Sequence, residues 1–328
     1  MRDNSVPSFS HPQPHQSQAS SRLGGISVRR AAARHAYAGI AIMVLGQILM
    51  FAKIEPFYTW FTPMQWTGYI LLLDALLVQR RGASYIFQHP REFFFMLLVS
   101  NVCWFLFEAY NLHLRNWEYH QLPENLAVRL IGFFWAFATI TPGLLLTSNV
   151  IDAYGGFQRA RFKPVAVPQW IHQLLLITGA LFCFVPVLVP AAIAKYLFAF
   201  VWVGYVLLLD PINYRLGMPS LLRELEKGSA QKLLSLFLAG LICGLLWEFW
   251  NFWAKAKWVY TVPYLNRPQI FEMPLYGFLG FLPFAVECFV MWQLALYFWR
   301  RNKNNSKSER LRQSNSENPD TATTKHLS

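Results

Sequence analysis

The sequence has few charged residues. Only 14% of its 328 residues are Asp, Glu, Lys or Arg, whereas a soluble domain carries roughly a quarter. Hydrophobic residues make up 55% of the chain and aromatic residues 17%. This composition excludes an ordinary soluble domain and indicates an integral membrane protein.

The sequence also lacks the motifs of disulfide, metal and nucleotide sites. No two of its four cysteines have the CxxC spacing, so free thiols are the simplest interpretation. Histidines such as His113, His120 and His172 are scattered and form no HxxxH cluster, which disfavours a zinc or di-iron site. Gly24 and Gly25 have no phosphate-loop context. We therefore expect no metal ion and no cofactor.

The net charge of +12 does not indicate a nucleic-acid partner. The basic residues are dispersed among apolar stretches and form no continuous groove or recognised binding module. The partner that the composition favours is a membrane lipid or an isoprenoid-like apolar ligand. A homo-oligomer or hetero-oligomer is compatible with the sequence.

The sequence contains several long apolar runs. A run of about 20 residues is long enough to cross a bilayer as a helix. Eight such runs are found, at residues 36–53, 57–78, 93–110, 126–147, 170–190, 193–212, 232–254 and 275–299. The predicted fold class is an all-α integral membrane protein with about eight transmembrane helices.

Two parts of the chain repeat each other. Residues 66–74 and 202–210 match at seven of nine positions, and residues 107–111 and 247–251 share a Glu and an Asn at the same spacing. Each copy continues to a Trp-x-Tyr and a proline: Trp117, Tyr119 and Pro123 in the first, and Trp258, Tyr260 and Pro263 in the second. A leucine-rich composition would not repeat these residue types in one order, so the sequence predicts two tandem four-helix repeats.

The domain organisation follows from these repeats. We expect a disordered cytoplasmic tail at 1–35, a first repeat at 36–147, a cytoplasmic linker at 148–169, a second repeat at 170–299 and a disordered tail at 300–328. Lys and Arg concentrate before the first span, between alternate spans and after the last, and cytoplasmic loops accumulate such residues. The sequence therefore predicts cytoplasmic termini. An even number of helices in each repeat predicts that the two repeats are parallel. We also expect a bacterial inner (plasma) membrane location.

Acidic residues inside the apolar runs are candidate site residues, because an unpaired carboxylate at membrane depth costs several kcal/mol. Asp74 and Asp210 lie near helix ends, with arginines one or two turns further on. We expect these two aspartates to be structural, each paired with an arginine.

Glu108 with Asn111, and Glu248 with Asn251, form a second set. A spacing of three residues places both polar side chains on one helix face. Such a pair can bind a cation, hold a proton, or hydrogen-bond the facing copy across the interface of the repeats. The first pair is assigned a structural polar role, and the second pair is a candidate catalytic pair.

Glu287 distinguishes the two halves. Aligning Gly132 with Gly277 places Glu287 opposite Pro142, so this carboxyl has no counterpart in the first half. Burial makes the charged form of a carboxyl costly, and a protonated Glu287 can donate its proton. We therefore expect the C-terminal half to be functional, with Glu248, Asn251 and Glu287 as its catalytic residues.

The loop after Glu248 combines aromatic rings with charged residues. The candidate substrate-binding residues are Trp247, Lys255, Lys257, Trp258, Tyr260 and Glu272. An aromatic belt at the membrane interface accounts for part of the rings. The two lysines point either to an anionic head group or to neutralisation of a nearby glutamate.

A family resemblance rests on residues 247–290. Their order is an acidic residue on an apolar helix, a Trp-x-Tyr, a proline before a helix, and a further Glu: Glu248, Trp258, Tyr260, Pro274 and Glu287. This order resembles that of the small integral-membrane lycopene cyclases and, more loosely, the membrane carotenoid hydratases. The paired Glu-Glu of the cyclases is replaced by Phe271 and Glu272. The resemblance implies a proton-driven reaction on a polyene without a redox cofactor.

Three classes of function agree with these residues. The first is an enzyme that modifies lipids or isoprenoids by acid–base chemistry with buried carboxyl groups. The second is a proton-coupled transporter or carrier, although no pair of Gly/Pro-broken half-helices marks a substrate site at the membrane midplane. The third is a non-catalytic assembly or scaffold protein.

Overall fold

The structure is a computed structural model that describes residues 18–317. Its helices are α1 (Gln18–Phe51), α2 (Phe61–Arg81), α3 (Tyr85–Gln88), α4 (Pro90–Leu114), α5 (Leu126–Ala138), α6 (Ile140–Ala153), α7 (Gln169–Leu188), α8 (Ala191–Ala194), α9 (Phe198–Arg215), α10 (Leu221–Glu226), α11 (Gln231–Trp253) and α12 (Phe281–Glu317). A 3-10 helix, Leu275–Gly280, precedes α12. The strands are β1 (Trp117–His120), β2 (Lys257–Tyr260), β3 (Gln269–Ile270) and β4 (Met273–Pro274).

Seven segments within residues 18–317 are long and apolar enough to cross a membrane. They are Ala32–Phe51, Phe61–Arg81, Pro90–Leu114, Leu126–Ala153, Gln169–Leu188, Gln231–Trp253 and Leu275–Asn305. These helices indicate a multi-pass helical membrane protein. The predicted span at 193–212 corresponds mainly to α9, which has 18 residues and is not among the seven.

Helix extends beyond the predicted repeats. α1 begins at Gln18 and α12 ends at Glu317, so residues 18–35 and 300–317 are helical where we expected disordered tails. The start of the linker at 148–153 is likewise the end of α6. A run rich in Ala and Arg at 29–34 explains part of this, because both residue types favour helix. Residues 1–17 and 318–328 of the predicted tails lie outside the described residues.

Two pairs of neighbouring helices cross at glycines. Gly39 of α1 faces Gly68 of α2, and a Cβ added to Gly39 would lie 2.5 Å from the carbonyl oxygen of Gly68. Gly179 of α7 faces Gly204 of α9 in the same way, since a Cβ there would meet the Gly204 carbonyl and the Leu208 nitrogen. Small residues allow helix backbones to approach closely, which strengthens van der Waals packing inside a membrane.

Two of the spans are interrupted. Thr139 separates α5 from α6 in the middle of the span Leu126–Ala153, and the span Leu275–Asn305 begins as the 3-10 helix and continues directly as α12. Pro142 is the third residue of α6, and Pro283 is the third residue of α12. The alignment of Pro142 with Glu287 remains a prediction.

Asp74 and Asp210 hold turns, but not through arginine. Asp74 accepts hydrogen bonds from the Ser84 hydroxyl (2.6 Å) and the Tyr85 backbone N–H (2.8 Å). Asp210 accepts from the backbone N–H groups of Leu221 (2.7 Å) and Leu222 (2.9 Å). Among the described side chains, neither aspartate lies within salt-bridge distance of an arginine. The expected arginine partners are thus replaced by the first turns of α3 and α10.

A two-stranded antiparallel ribbon joins the halves. β1 pairs with β2 in a register that places Trp117 opposite Tyr260 and Tyr119 opposite Trp258. The two Trp-x-Tyr motifs were predicted as loop. Aromatic residues alternate with other residues in both motifs, and this period of two is typical of a strand. The alternation could have been used to predict β1 and β2.

The glycine crossing of α7 and α9 provides a test of the packing. Gly179→Ala places a methyl group against the backbone of α9, which cannot move without separating the helices. We expect the free energy of unfolding to fall by about 1–3 kcal/mol, measured as a loss of thermal stability of the purified protein in detergent. Gly46→Ala is the comparison, and we expect a smaller loss, because its Cβ would lie 3.0 Å from the side-chain atom Gln65 Nε2, which can shift at the expense of its bond to the Met43 carbonyl. Equal losses for both variants would contradict the close crossing.

Candidate active site

The β1–β2 ribbon presents four aromatic side chains to one cavity. In the antiparallel register, the paired residues Trp117 and Tyr260, and Tyr119 and Trp258, share one face of the ribbon. All four line the cavity, whereas Glu118 on the opposite face is exposed. The ribbon therefore closes one side of the cavity with aromatic rings.

An asparagine at the end of a helix holds each strand. Asn251 Nδ2 donates to the carbonyl of Trp258 (2.8 Å), and Asn251 Oδ1 accepts from the Trp258 N–H (2.9 Å). Asn111 makes the same two bonds to the backbone of Trp117, at 2.8 and 3.2 Å. Asn251 is fully buried and does not line the cavity, so the structure places it as a support of β2.

Glu108 accepts three hydrogen bonds from aromatic side chains. The donors to its Oε1 are the Tyr119 hydroxyl (2.5 Å), Trp104 Nε1 (2.9 Å) and Trp117 Nε1 (3.1 Å). All three donors reach the same oxygen, and together they hold the side chain of Glu108 in place. The structural role of Glu108 remains a prediction.

Glu248 has fewer partners than Glu108. Its Oε1 accepts from the Tyr260 hydroxyl (2.8 Å), which in turn accepts from Trp258 Nε1 (3.0 Å). Its Oε2 has no hydrogen-bond partner among the described residues, although the side chain is fully buried. Four residues before Glu108 stands the donor Trp104, whereas four before Glu248 stands Gly244, against which the ring of Phe281 packs.

The phenols of the ribbon remain proton donors. Burial raises the pKa of Tyr119 and of Tyr260 well above the usual value, and the neighbouring carboxylates Glu108 and Glu248 raise it further. Both tyrosines therefore keep their protons at neutral pH. Each donates a hydrogen bond to a glutamate and fixes one of its oxygens.

The cavity has a volume of about 130 Å³ and is partly open. Its wall is mainly aromatic. Seven tryptophans line it: Trp60, Trp66, Trp104, Trp117, Trp202, Trp247 and Trp258. Phe133, Phe137, Phe281 and Phe284 add four further rings, and the polar wall residues include Glu248, Tyr119, Tyr260, Lys257 and Arg129. Such a wall is suited to an apolar ligand or to a transient cation held against aromatic faces.

The two candidate lysines are engaged by carboxylates. Lys255 pairs with Glu55 (2.7 Å), on the segment between α1 and α2. Lys257 lines the cavity and pairs with Glu272 (2.5 Å). Four of the predicted substrate-binding residues line the cavity: Trp247, Lys257, Trp258 and Tyr260. Lys255 and Glu272 do not line it.

Glu287 lies near the cavity but not in its wall. It is one turn beyond Phe284, whose ring lines the cavity. Glu287 is fully buried, and neither carboxyl oxygen has a hydrogen-bond partner in the described part of the chain. The titratable groups close enough to interact with it electrostatically include Cys103, Cys183, Cys288, Tyr110 and Tyr205.

Sequence reasoning missed most of the wall. Trp66 and Trp202 begin the two matched segments, and this repetition was the available signal for them. Trp66 packs against Trp247 with ring centroids 4.6 Å apart. Trp60 and Arg129 carry no comparable signal, because nothing in a single sequence shows that the start of α2 faces the start of α5.

No group of three or more His, Cys, Asp or Glu residues within the described part of the chain is arranged to hold a metal ion. Comparison of the chain with family models, curated proteins and solved structures gave no match. The geometry of the cavity is therefore the basis from which a function can be inferred.

The asparagine support of β2 can be tested directly. Asn251→Ala removes two hydrogen bonds and leaves partly buried backbone groups of Trp258 without these partners. We expect a loss of about 2–3 kcal/mol of stability and faster hydrogen exchange of the amides of residues 257–260, measured by mass spectrometry. Asn125→Ala is the control, since Asn125 caps α5 through one exposed bond of 3.2 Å. Unchanged protection of β2 in Asn251→Ala would disprove this role.

Proposed function

We propose that this protein is a membrane-embedded enzyme that carries out acid–base chemistry on an apolar substrate such as a lipid or an isoprenoid. The observation that carries this proposal is the buried Glu248 in the wall of an aromatic cavity, with one oxygen fixed by Tyr260 and the other unpartnered. The resemblance of residues 247–290 to the small membrane lycopene cyclases adds support for an isoprenoid.

In this proposal Glu248 Oε2 is the atom that exchanges a proton with the substrate. The carboxylic acid donates its proton to a carbon–carbon double bond, and a cation forms on the substrate. The cation loses a proton from a neighbouring carbon to the same carboxylate, so the enzyme returns to its starting state and the double bond is moved or a ring is closed. The faces of Trp66, Trp247 and Phe284 stabilise the cation.

The other candidate residues take supporting roles. Asn251 positions β2, and through it the Tyr260 hydroxyl that fixes Glu248. Glu287, one turn from the wall, is a proton reservoir behind Phe284 in this scheme. No cofactor is required, because proton transfer alone balances the reaction.

We also propose that the chain is a duplication of two parallel four-helix units, with α9 as the eighth transmembrane helix. The matched glycine crossings, the two aspartates that bind following turns and the two asparagine clamps support this arrangement. The distribution of Lys and Arg supports cytoplasmic termini in a bacterial inner membrane. The partner in this scheme is the lipid-like substrate, and the proposal holds for a monomer or an oligomer.

Substitution of Glu248 tests the enzyme proposal. Glu248→Gln keeps the volume and the bond from Tyr260 but cannot release a proton. Cells that express the wild-type protein should contain an apolar metabolite, found by mass spectrometry of lipid extracts, that is absent from cells without the gene. At equal membrane abundance, Glu248→Gln should lower this product by about 100-fold or more.

Glu108→Gln is the matched control, because it makes the same change at the corresponding place of the other half. We expect it to retain most of the product. If Glu287→Gln lost the product and Glu248→Gln kept it, the proton donor would be Glu287, and our assignment would be wrong. A lipid profile that does not depend on the gene would exclude the enzyme proposal.

Reporter fusions test the proposed topology. A reporter that is active only in the cytoplasm should be active when it is fused after Lys303, and also when it is fused in the 155–165 segment. The same reporter inserted between Leu122 and Pro123 should be inactive, because the ribbon then lies on the outer side. Activity of the insertion at 122–123 would refute the orientation.

A further inference from the structure

Several side chains of the cavity wall have a buried polar atom that no part of the described chain satisfies. Five side chains of the wall have such an atom: Trp60 Nε1, Thr62 Oγ1, Trp66 Nε1, Arg129 Nε and Glu248 Oε2. Thr62, Trp66 and Glu248 are at most 6% exposed. Because buried polar groups are normally hydrogen-bonded, this concentration in one cavity indicates the chemistry of its ligand.

Donors prevail among these atoms. The indole N–H groups of Trp60 and Trp66 and the Arg129 guanidinium can only donate, whereas the Thr62 hydroxyl can do either. A plain hydrocarbon would leave all of them unsatisfied. The ligand must therefore bring acceptor oxygens as well as an apolar body.

Arg129 gives the donor set a positive charge. Among the described side chains, no carboxylate lies within salt-bridge distance of Arg129, whereas the wall residue Lys257 is neutralised by Glu272. A guanidinium at the edge of an apolar cavity is best satisfied by an anionic group that accepts more than one bond.

Arg129 and Trp60 lie on the same side of the cavity. Arg129, Gly132, Phe133 and Ala136 are wall residues with the spacing of one face of α5. A Cβ added to Gly132 would lie 3.3 Å from Trp60 Nε1, so this indole N–H is one turn from Arg129. Trp66 is deeper along α2 and packs on Trp247. The Arg129 cation and the Trp60 donor therefore lie at one end of a mainly aromatic cavity, and the Trp66 donor lies further in.

We infer that the ligand of this cavity is an amphiphile with an anionic, oxygen-rich head group at Arg129 and Trp60 and an unsaturated chain among the aromatic rings. This assignment rests on the proposed function in that it names the class of substrate on which Glu248 acts. The head group fixes the depth of the chain and so selects the double bond that reaches Glu248.

Binding of two matched probes tests the inference. Farnesyl phosphate and farnesol share one chain and differ in the anionic head group. The purified full-length protein in lipid nanodiscs is titrated with each, and binding is followed by quenching of tryptophan fluorescence, with empty nanodiscs as the blank. We expect the wild-type protein to bind farnesyl phosphate at least about tenfold more tightly than farnesol.

Arg129→Gln should remove this preference while leaving the affinity for farnesol unchanged, and Arg129→Lys should retain part of it. Arg115→Gln is the control, since Arg115 is an exposed arginine of the segment before β1 and does not line the cavity. Equal binding of the two probes by the wild type, or a preference that persists in Arg129→Gln, would overturn the inference. A preference that depends on Arg129, with product formation unaffected by Glu248→Gln, would leave the inference standing and refute the enzyme proposal.

Discussion

The antiparallel pairing of β1 with β2 connects two helical halves at the end of the bundle where the cavity lies. The register places two Trp-x-Tyr motifs on one face, so that four rings cover a chamber formed by α2, α4, α5, α9, α11 and the start of α12. Two strands alone are marginally stable in water. Here the ends of α4 and α11 supply the missing support, because Asn111 and Asn251 bind the strand backbones at both donor and acceptor.

The surroundings of Glu108 and Glu248 differ. Oε1 of Glu108 accepts from three donors, one of them Trp104, whereas Gly244 stands four residues before Glu248 and the ring of Phe281 packs against it. A buried carboxyl oxygen without a partner costs free energy. The proposed role of Glu248 follows from this cost, because a substrate or a proton can satisfy the oxygen.

Much of the architecture could be predicted from residue patterns. Apolar runs of about 20 residues locate the spans because the bilayer thickness sets the length of a helix, and the helices found lie close to the predicted ones. The sequence predicts that Glu108 with Asn111 corresponds to Glu248 with Asn251, and in the structure both asparagines bind the backbone of a strand. The partners of Asp74 and Asp210 were mistaken because an arginine near in sequence is a plausible partner, whereas the turn geometry brings backbone N–H groups closer.

The sequence by itself determined that the chain is a multi-pass helical membrane protein and that the carboxyl groups of Glu248 and Glu287 are buried in it, since hydrophobic length and the cost of burying charge depend on composition and local order. Only the tertiary structure decided which of those residues meet. The packing of helices brings together side chains that are far apart in sequence: Trp66 of α2, Arg129 of α5, Glu248 of α11, and Trp60, which directly precedes α2. Such contacts depend on the crossing of helices and the register of a ribbon, which no local pattern specifies.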